Sequence, residues 1–516
     1  MKCLLLLLLL VGTTAHADDL THEQDDALAA EAAMLAPAVQ VPQMQPPTPA
    51  QHSTLGLWSA VIPWTPHIPV ACAQLPDGRL LTFASSQRTS FPPGTFTYAA
   101  VWDYRTGEFV EINNPRHDMF CGGVSLLPDG RLLVNGGNNT LRDCSLFDWR
   151  TSTWSAAPDM LDPRWYNTSV ALPDGSVFTS SGSGGSDTAE RWQESSGWTR
   201  YTGIDWSQAT SENTFESIWH PFLHVAPDGR IAHTGPTRTM HWVDTTGNGQ
   251  FISTSTTVPD YYYPKDGAMV MFAPGKILQA AGRTVSGGAT NLAYVVDING
   301  STPTVTPTSS LKHPRTFANG VILPTGEVMA IGGNTSQVKF SDEGSVMTPE
   351  IWNPSSGAWR SAADMQVPRN YHSLAILLPD GRVWSGGGGL SGNSADHQDA
   401  QIFTPPVLFN ADGTLAARPE INEVPEVIGP GMEFTVRATA GMKRFTFIKL
   451  AALTHSVTSD LRFIELPFTE AAPGAYSVHA PDNVNVLTPG YWMLFAISPE
   501  GPYSVSKTVL VDATLA

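Results

Sequence analysis

The sequence predicts an all-β protein, a seven-bladed β-propeller followed by a small C-terminal immunoglobulin-like β-sandwich, and three observations carry that reading. A short turn motif returns seven times at intervals of 45 to 55 residues. Charged residues are only 15% of a 516-residue chain that holds 45 Gly and 41 Pro, which suits many short strands and turns rather than long surface helices. The last stretch of about 100 residues keeps alternating strands but loses the motif.

The motif is LPDGR at 75–79 and 127–131, LPDG at 172–175, APDGR at 226–230, APGK at 273–276, LPTG at 323–326 and LPDGR at 378–382. Each copy sits between two apolar runs, as in GVSLLPDGRLLVNGG. A Pro-Asp-Gly tip closes a hairpin because Pro presets φ and Gly accepts positive φ. Several copies continue into an aromatic strand, such as PEIWNPSSGAWRSAADM. A repeat near 50 residues with this layout is kelch-like, one four-stranded blade per copy. The propeller is assigned to 55–412. From 413 to 516, strands such as EFTVRA, RFTFIKLA and GYWMLFAIS fit the sandwich.

Ahead of the repeats, Met1-Lys2, the apolar run Cys3 to Val11 and Ala15-His16-Ala17 read as a signal peptide over 1–17, too short to span a bilayer. The protein is therefore expected outside the cytoplasm, secreted or periplasmic, with no membrane span. Residues 18–54 are acidic, then Ala-rich, then Pro-rich, and read as a linker with one short helix. The net charge of -18 disfavours nucleic acid and anionic membrane as partners. Removal of Cys3 leaves Cys72, Cys121 and Cys144, an odd number in an oxidising compartment. One sulfur must then stay out of any internal disulfide.

The register of the repeats points at a site. Seven residues before each turn proline stand Pro69, Cys121, Tyr166, His220, Gly267, Phe317 and His372; one further back are Trp219 and Tyr371. The strand entering such a hairpin is commonly the innermost of its blade, so these side chains should gather at one end of the central channel. A thiol, phenols and imidazoles form a mixed S/O/N donor set, and imidazole with phenolate favours Cu(II). Taken singly, a Tyr or His on an inner strand is ordinarily core, and a lone Cys an inert thiol. The coincidence of register carries the argument.

RHDMFCGG (116–123), PRWYNTSVALPDGSVFT (163–179), PRNYHSLAILLPDGRVWSGGGG (368–389), DHQDAQIFTP (396–405) and LTHSV (453–457) resemble, in order, segments of the copper radical oxidases of the galactose oxidase and glyoxal oxidase type. That resemblance implies one copper ion held by Tyr166, Tyr371, His372 and His455, the last supplied by the C-terminal domain. It implies a thioether between Cys121 and Tyr166 as the redox cofactor, with the radical on Tyr166. Tyr371 would be the axial ligand and the base that takes the substrate's proton. The implied reaction is two-electron oxidation of a small aldehyde, of glyoxal or methylglyoxal type, or of a primary alcohol. Oxygen is reduced to hydrogen peroxide, and the enzyme is expected to act as a monomer. If Cys121 is committed to the thioether, Cys72 and Cys144 remain, either bridged or as separate thiols. The family's Trp over the thioether falls here on Gly184, so Trp219 or His220 is the candidate shield. The alternative is a non-catalytic kelch propeller that binds glycan or protein partners. A copper-binding protein without radical chemistry is a third reading.

Overall fold

A computed structural model describes residues 21–515 except 140, 186, 211–218 and 260; the expected signal peptide lies outside the described residues. Seven antiparallel meanders form between residues 57 and 404. Their first strands are Ala71–Gln74, Gly123–Leu126, Thr168–Ala171, Leu223–Val225, Ala268–Ala273, Asn319–Ile322 and Leu374–Leu377. Each of these precedes the Pro-Gly tip and contributes to the inner wall of the propeller, while fourth strands such as Phe109–Glu111 and Thr304–Pro307 are the more exposed rim. The inner strands are nearly all buried, and so are the strands that follow the tip. Such continuous apolar runs are what two-sided burial demands.

The ring is closed by the chain's beginning. Leu57–Trp58 pairs with the third strand of the last blade, Asp399–Thr404, and completes it as a fourth strand. Beyond the ring, two sheets face each other over a core that includes Phe434, Phe447, Tyr476 and Trp492. One contains Glu433–Ala438 and Ala475–His479, the other Arg444–Lys449 and Gly490–Ile497. The two units share apolar packing: Leu450, Phe463, Met493 and Phe495 belong to the same buried cluster as the inner strands Ala71–Gln74 and Asn319–Ile322.

From this second unit a short strand, Ala452–Thr454, pairs antiparallel with Ala71–Gln74 on the channel side. Buried Gln74 fixes its approach, accepting from the Ala451 N–H at 2.8 Å and donating to the Leu377 carbonyl at 2.6 Å. At the opposite end of the chain, helix α1 (Thr21–Leu35) lies against the mouth of the channel, with Ala30 packed on Phe317, Phe340 and Tyr371. Among the described residues no helix is long and apolar enough to cross a membrane.

Candidate active site

The side chains that share the repeat register meet because of one backbone device. Cys121, Tyr166, His220, Phe317 and His372 all have left-handed φ, between 46° and 68°. This conformation costs a non-Gly residue on the order of 1 kcal/mol, and such residues collect at functional sites. It places the residues at the mouth just ahead of their inner strands. Hydrogen bonds tie neighbouring blades there: Tyr166 N–H to the Cys121 carbonyl at 3.0 Å, and His220 N–H to the Tyr166 carbonyl at 2.7 Å. The fifth blade slips by one. Asp266, not Gly267, is left-handed, with φ 60°. Its tip, APGK, lacks the residue that every other copy places between Pro and Gly, and a bulge between Met271 and Ala273 lengthens the strand. Counting seven back from Pro274 therefore stops one residue short.

The tyrosine hydroxyls of Tyr166 and Tyr371 are 2.9 Å apart. His372 stacks on Tyr371 with ring centroids 4.0 Å apart, and His455 stands 4.6 Å from His372 at 90°. His455 follows directly on the inserted strand, and both it and Ser456 have positive φ. Ligand atoms of Cys121, His372 and His455 lie within 4.8 Å of one another, with Cys121 Sγ 3.4 Å from His455 Nε2. All the residues named for this site from the sequence are thus brought together.

The tautomer of His372 follows from its partner. Nδ1 lies 2.7 Å from the Gly389 carbonyl, which can only accept, so Nδ1 carries the proton and Nε2 keeps its lone pair. Nε2 is buried and has no hydrogen-bond partner. Burial lowers the pKa of His372 to about 4, so the imidazole is neutral. His455 Nδ1 contacts Thr454 Oγ1 at 2.7 Å, which turns Nε2 toward the site. Burial, reinforced by the charge of Asp26, raises the phenols of Tyr166 and Tyr371 well above their ordinary range. Burial also raises the Cys121 thiol. Without a cation these groups are neutral; a divalent ion inverts that preference. Neutral imidazole and convergent phenol oxygens fit copper, and the orphaned Nε2 is where such an ion would satisfy a buried acceptor.

Among the described residues the rings recorded beside Tyr166 are tilted or edge-on. Trp219 is tilted by 54° with centroids 6.3 Å apart, while Trp165 and His220 approach edge-on at 4.7 and 5.0 Å. Trp219 donates to Ser183 Oγ at 3.2 Å, in the Gly-rich loop that contains Gly184. Trp165 escaped the sequence reading, yet its signal was present: it occupies the same step before the register position as Trp219 and Tyr371. Asp26 and Lys339 were also missed. Asp26, from helix α1, accepts from Tyr166 Oη at 2.5 Å and from Tyr371 Oη at 3.1 Å, and its other oxygen pairs with Lys339 Nζ. Neither lies in a repeat register, so no spacing rule reaches them. The mouth holds a small open pocket of about 40 Å³ lined by Tyr166, Trp219, Lys265, Lys339, Tyr371 and His455. Cys72 and Cys144 are separate buried thiols.

Residues 418–511 match the family model described as "Galactose oxidase-like, Early set domain". Galactose oxidase of Gibberella zeae is 34% identical over 487 residues, covering 90% of this chain and 71% of that protein. The aldehyde oxidase GLOX of Vitis pseudoreticulata is 25% identical, over 76% of this chain and 82% of its own length. Among solved structures, a fungal alcohol oxidase of the AA5 family in complex with copper superposes with a TM-score of 0.84 at 31% identity. It covers 89% of this chain and all of its own. With the site geometry and these relatives in agreement, the chain belongs to the galactose oxidase family and is a copper radical oxidase.

Proposed function

We propose that Tyr166, Tyr371, His372 and His455 hold the copper, and that the enzyme oxidises a small aldehyde hydrate or a primary alcohol, passing two electrons to oxygen. The observation that carries this is the pair of tyrosine hydroxyls 2.9 Å apart beside His372 Nε2, a buried lone pair with no partner. When bound, copper supplies a Lewis acid and a one-electron acceptor. The chain supplies the rest. Tyr371 Oη stands within hydrogen-bond reach of an oxygen held in the mouth, as Asp26 demonstrates at 3.1 Å, and is the base that takes the substrate's hydroxyl proton. Tyr166, joined through its ring to Cys121, is the second one-electron store. His372 and His455 are kept as neutral donors by the Gly389 carbonyl and Thr454 Oγ1. Trp165, Trp219 and His220 surround the Tyr166 ring and limit access of water. Secretion through the segment 1–17 agrees with this chemistry. The family membership leaves the non-catalytic glycan- or protein-binding reading without support.

Metal analysis of copper-loaded protein should give one equivalent per chain, and His455→Ala should lose it. Full copper retention in that variant would contradict the ligand set. Oxygen uptake with peroxide release against a panel of aldehydes and primary alcohols tests the turnover.

A further inference from the structure

The mouth of the site already holds a carboxylate, and it comes from the chain itself. Asp26 is 1% exposed. One of its oxygens accepts from both tyrosine hydroxyls and the other meets the Lys339 ammonium. Lys339 also lies over the ring of Tyr371, 5.2 Å from its centroid. Lys265 lines the same pocket, 5.2 Å from the centre of the Trp219 ring. Arg283 pairs with Asp266 at 2.6 Å on the rim. A chain with net charge -18 thus lines one small cavity with two lysines, while the Asp266 of its wall is already paired with Arg283 and the visiting Asp26 with Lys339. A concentration of one sign in a cleft recruits the opposite charge.

The helix that delivers Asp26 is held lightly. It packs through small residues, Ala30 with Ala29 and Ala33, onto Phe317, Phe340 and Phe91. Its larger apolar side chains point away: Leu28 is 60% exposed, Met34 54% and Leu35 83%. A helix that buries alanines and exposes leucine and methionine contributes little apolar stabilisation, so an external carboxylate can compete with it.

We infer that the mouth is a carboxylate site, in which Lys339 binds the anionic end of the substrate and selects small acids that carry a primary 2-hydroxyl or a hydrated aldehyde beside the carboxylate, glycolate and hydrated glyoxylate, with Asp26 as the chain's own competitor. This rests on the proposed role of the tyrosine pair. In a 2-hydroxy acid the hydroxyl and a carboxylate oxygen sit on adjacent carbons, one bond further apart than the two oxygens of Asp26. The same anchors accept them: the hydroxyl against the tyrosines, the carboxylate on Lys339. For glycolate the balance is HOCH2COO⁻ + O2 → OHC–COO⁻ + H2O2. The carbon loses two hydrogens with their electrons, and oxygen takes them. Hydrated glyoxylate gives hydrogen oxalate and peroxide in the same way.

The test uses full-length copper-loaded protein with two size-matched pairs, glycolate against ethylene glycol and glyoxylate against methylglyoxal. Wild type should prefer the anion of each pair by kcat/KM, and Asp26→Ala should lower KM for the anions. Lys339→Gln should reduce the anion-to-neutral ratio by about tenfold to a hundredfold, as for loss of a charge-assisted hydrogen bond, and Lys339→Arg should restore most of it. Calorimetric titration of glycolate into copper-free Asp26→Ala protein should show binding that Lys339→Gln abolishes. Equal use of both members of each pair, with Lys339→Gln leaving the ratio unchanged, overturns the inference while the oxidase reading stands. Lys339-dependent glycolate binding without turnover of any substrate does the reverse. Absence of binding in the titration also overturns it.

Discussion

At the residue scale, the site depends on side chains whose ordinary preferences are reversed by position. Tyr371 is buried, and its phenol is pushed well above the ordinary range, chiefly by burial. It becomes a useful base only when a cation holds the same cavity. Tyr371→Phe should bind copper yet turn over about 10²–10⁴-fold more slowly, measured by steady-state oxygen uptake, because a positioned base contributes that much. Undiminished turnover would remove Tyr371 from the proton step. Cys121 and Tyr166 are linked through backbone on neighbouring blades and share one buried cluster with Trp165 and Trp219. Thioether formation removes the thiol hydrogen and one ring hydrogen, and their electrons pass to oxygen. Intact mass of copper-matured protein should be lower by that pair of hydrogens than mass of protein made without copper. The loss should vanish in Cys121→Ser and persist after reduction, since thiol exchange opens disulfides and not thioethers. Cys72 and Cys144 are both free thiols, so a loss reversed by reductant would mean that Cys121 pairs with one of them instead of with Tyr166.

At the scale of the elements, the blades are pinned where they deliver the site. Before the left-handed residue of several blades comes an Arg, and its partner is a carboxylate at the start of the third strand. Arg315 Nη2 meets Glu350 at 2.7 Å, Arg164 meets Glu190 at 3.0 Å and Arg369 meets Asp399 at 2.5 Å. Glu350 also accepts from the Lys312 and His313 backbone N–H groups at 2.6 and 3.2 Å. Burial pulls the Arg315 pKa down to about 10 despite its partner. Removing one member of such a pair strands the other. Glu350→Ala should therefore cost about 3–5 kcal/mol, read as a lowered midpoint in denaturant melts. A change within a few tenths of a kcal/mol would show that water replaces the carboxylate. The same pairs give a role to the Pro-Arg of PRWY (163–166), PRTF (314–317) and PRNY (368–371): the Arg anchors the loop that carries Tyr166, Phe317 or Tyr371 and His372 to the mouth.

For the whole molecule, stability is tied to histidines kept neutral inside. Away from the site, burial lowers His67 and His224 to about 3 and His117 and His241 to about 4, from an ordinary 6.5. The native state thus binds fewer protons than the unfolded chain below pH 6.5. Stability from these groups is complete above that pH and is lost as pH falls toward their folded values. Each contributes about 1.4 kcal/mol per pH unit over that window. Chemical denaturation should therefore give a flat or maximal stability near pH 7 and a steep decline between pH 6 and 4. Stability unchanged from pH 7 to 5 would mean that water reaches these imidazoles in the folded protein.

Much of the fold and most of the site were legible in the chain because both are written as a repeat. The Pro-Gly tip marks each inner hairpin, and a common offset of seven places Cys121, Tyr166 and His372, with Tyr371 one step further back, at one end of the channel before any contact is known. The relation fails where the tip itself changes: APGK moves the mouth position from Gly267 to Asp266, since the count runs along a bulged strand. His455 lies outside the repeat and was reached only through its likeness to a known motif; the physical reason for its arrival is the pairing of Ala452–Thr454 with Ala71–Gln74. Asp26 and Lys339 lie in segments without periodicity, 313 residues apart, and no local pattern relates them. The sequence by itself determined the blades, the donor types and their register, because turn chemistry and strand period are local. Only the tertiary structure decided which side chains cover the mouth, because closure of a ring and the docking of a distant helix depend on packing between segments that no spacing along the chain records.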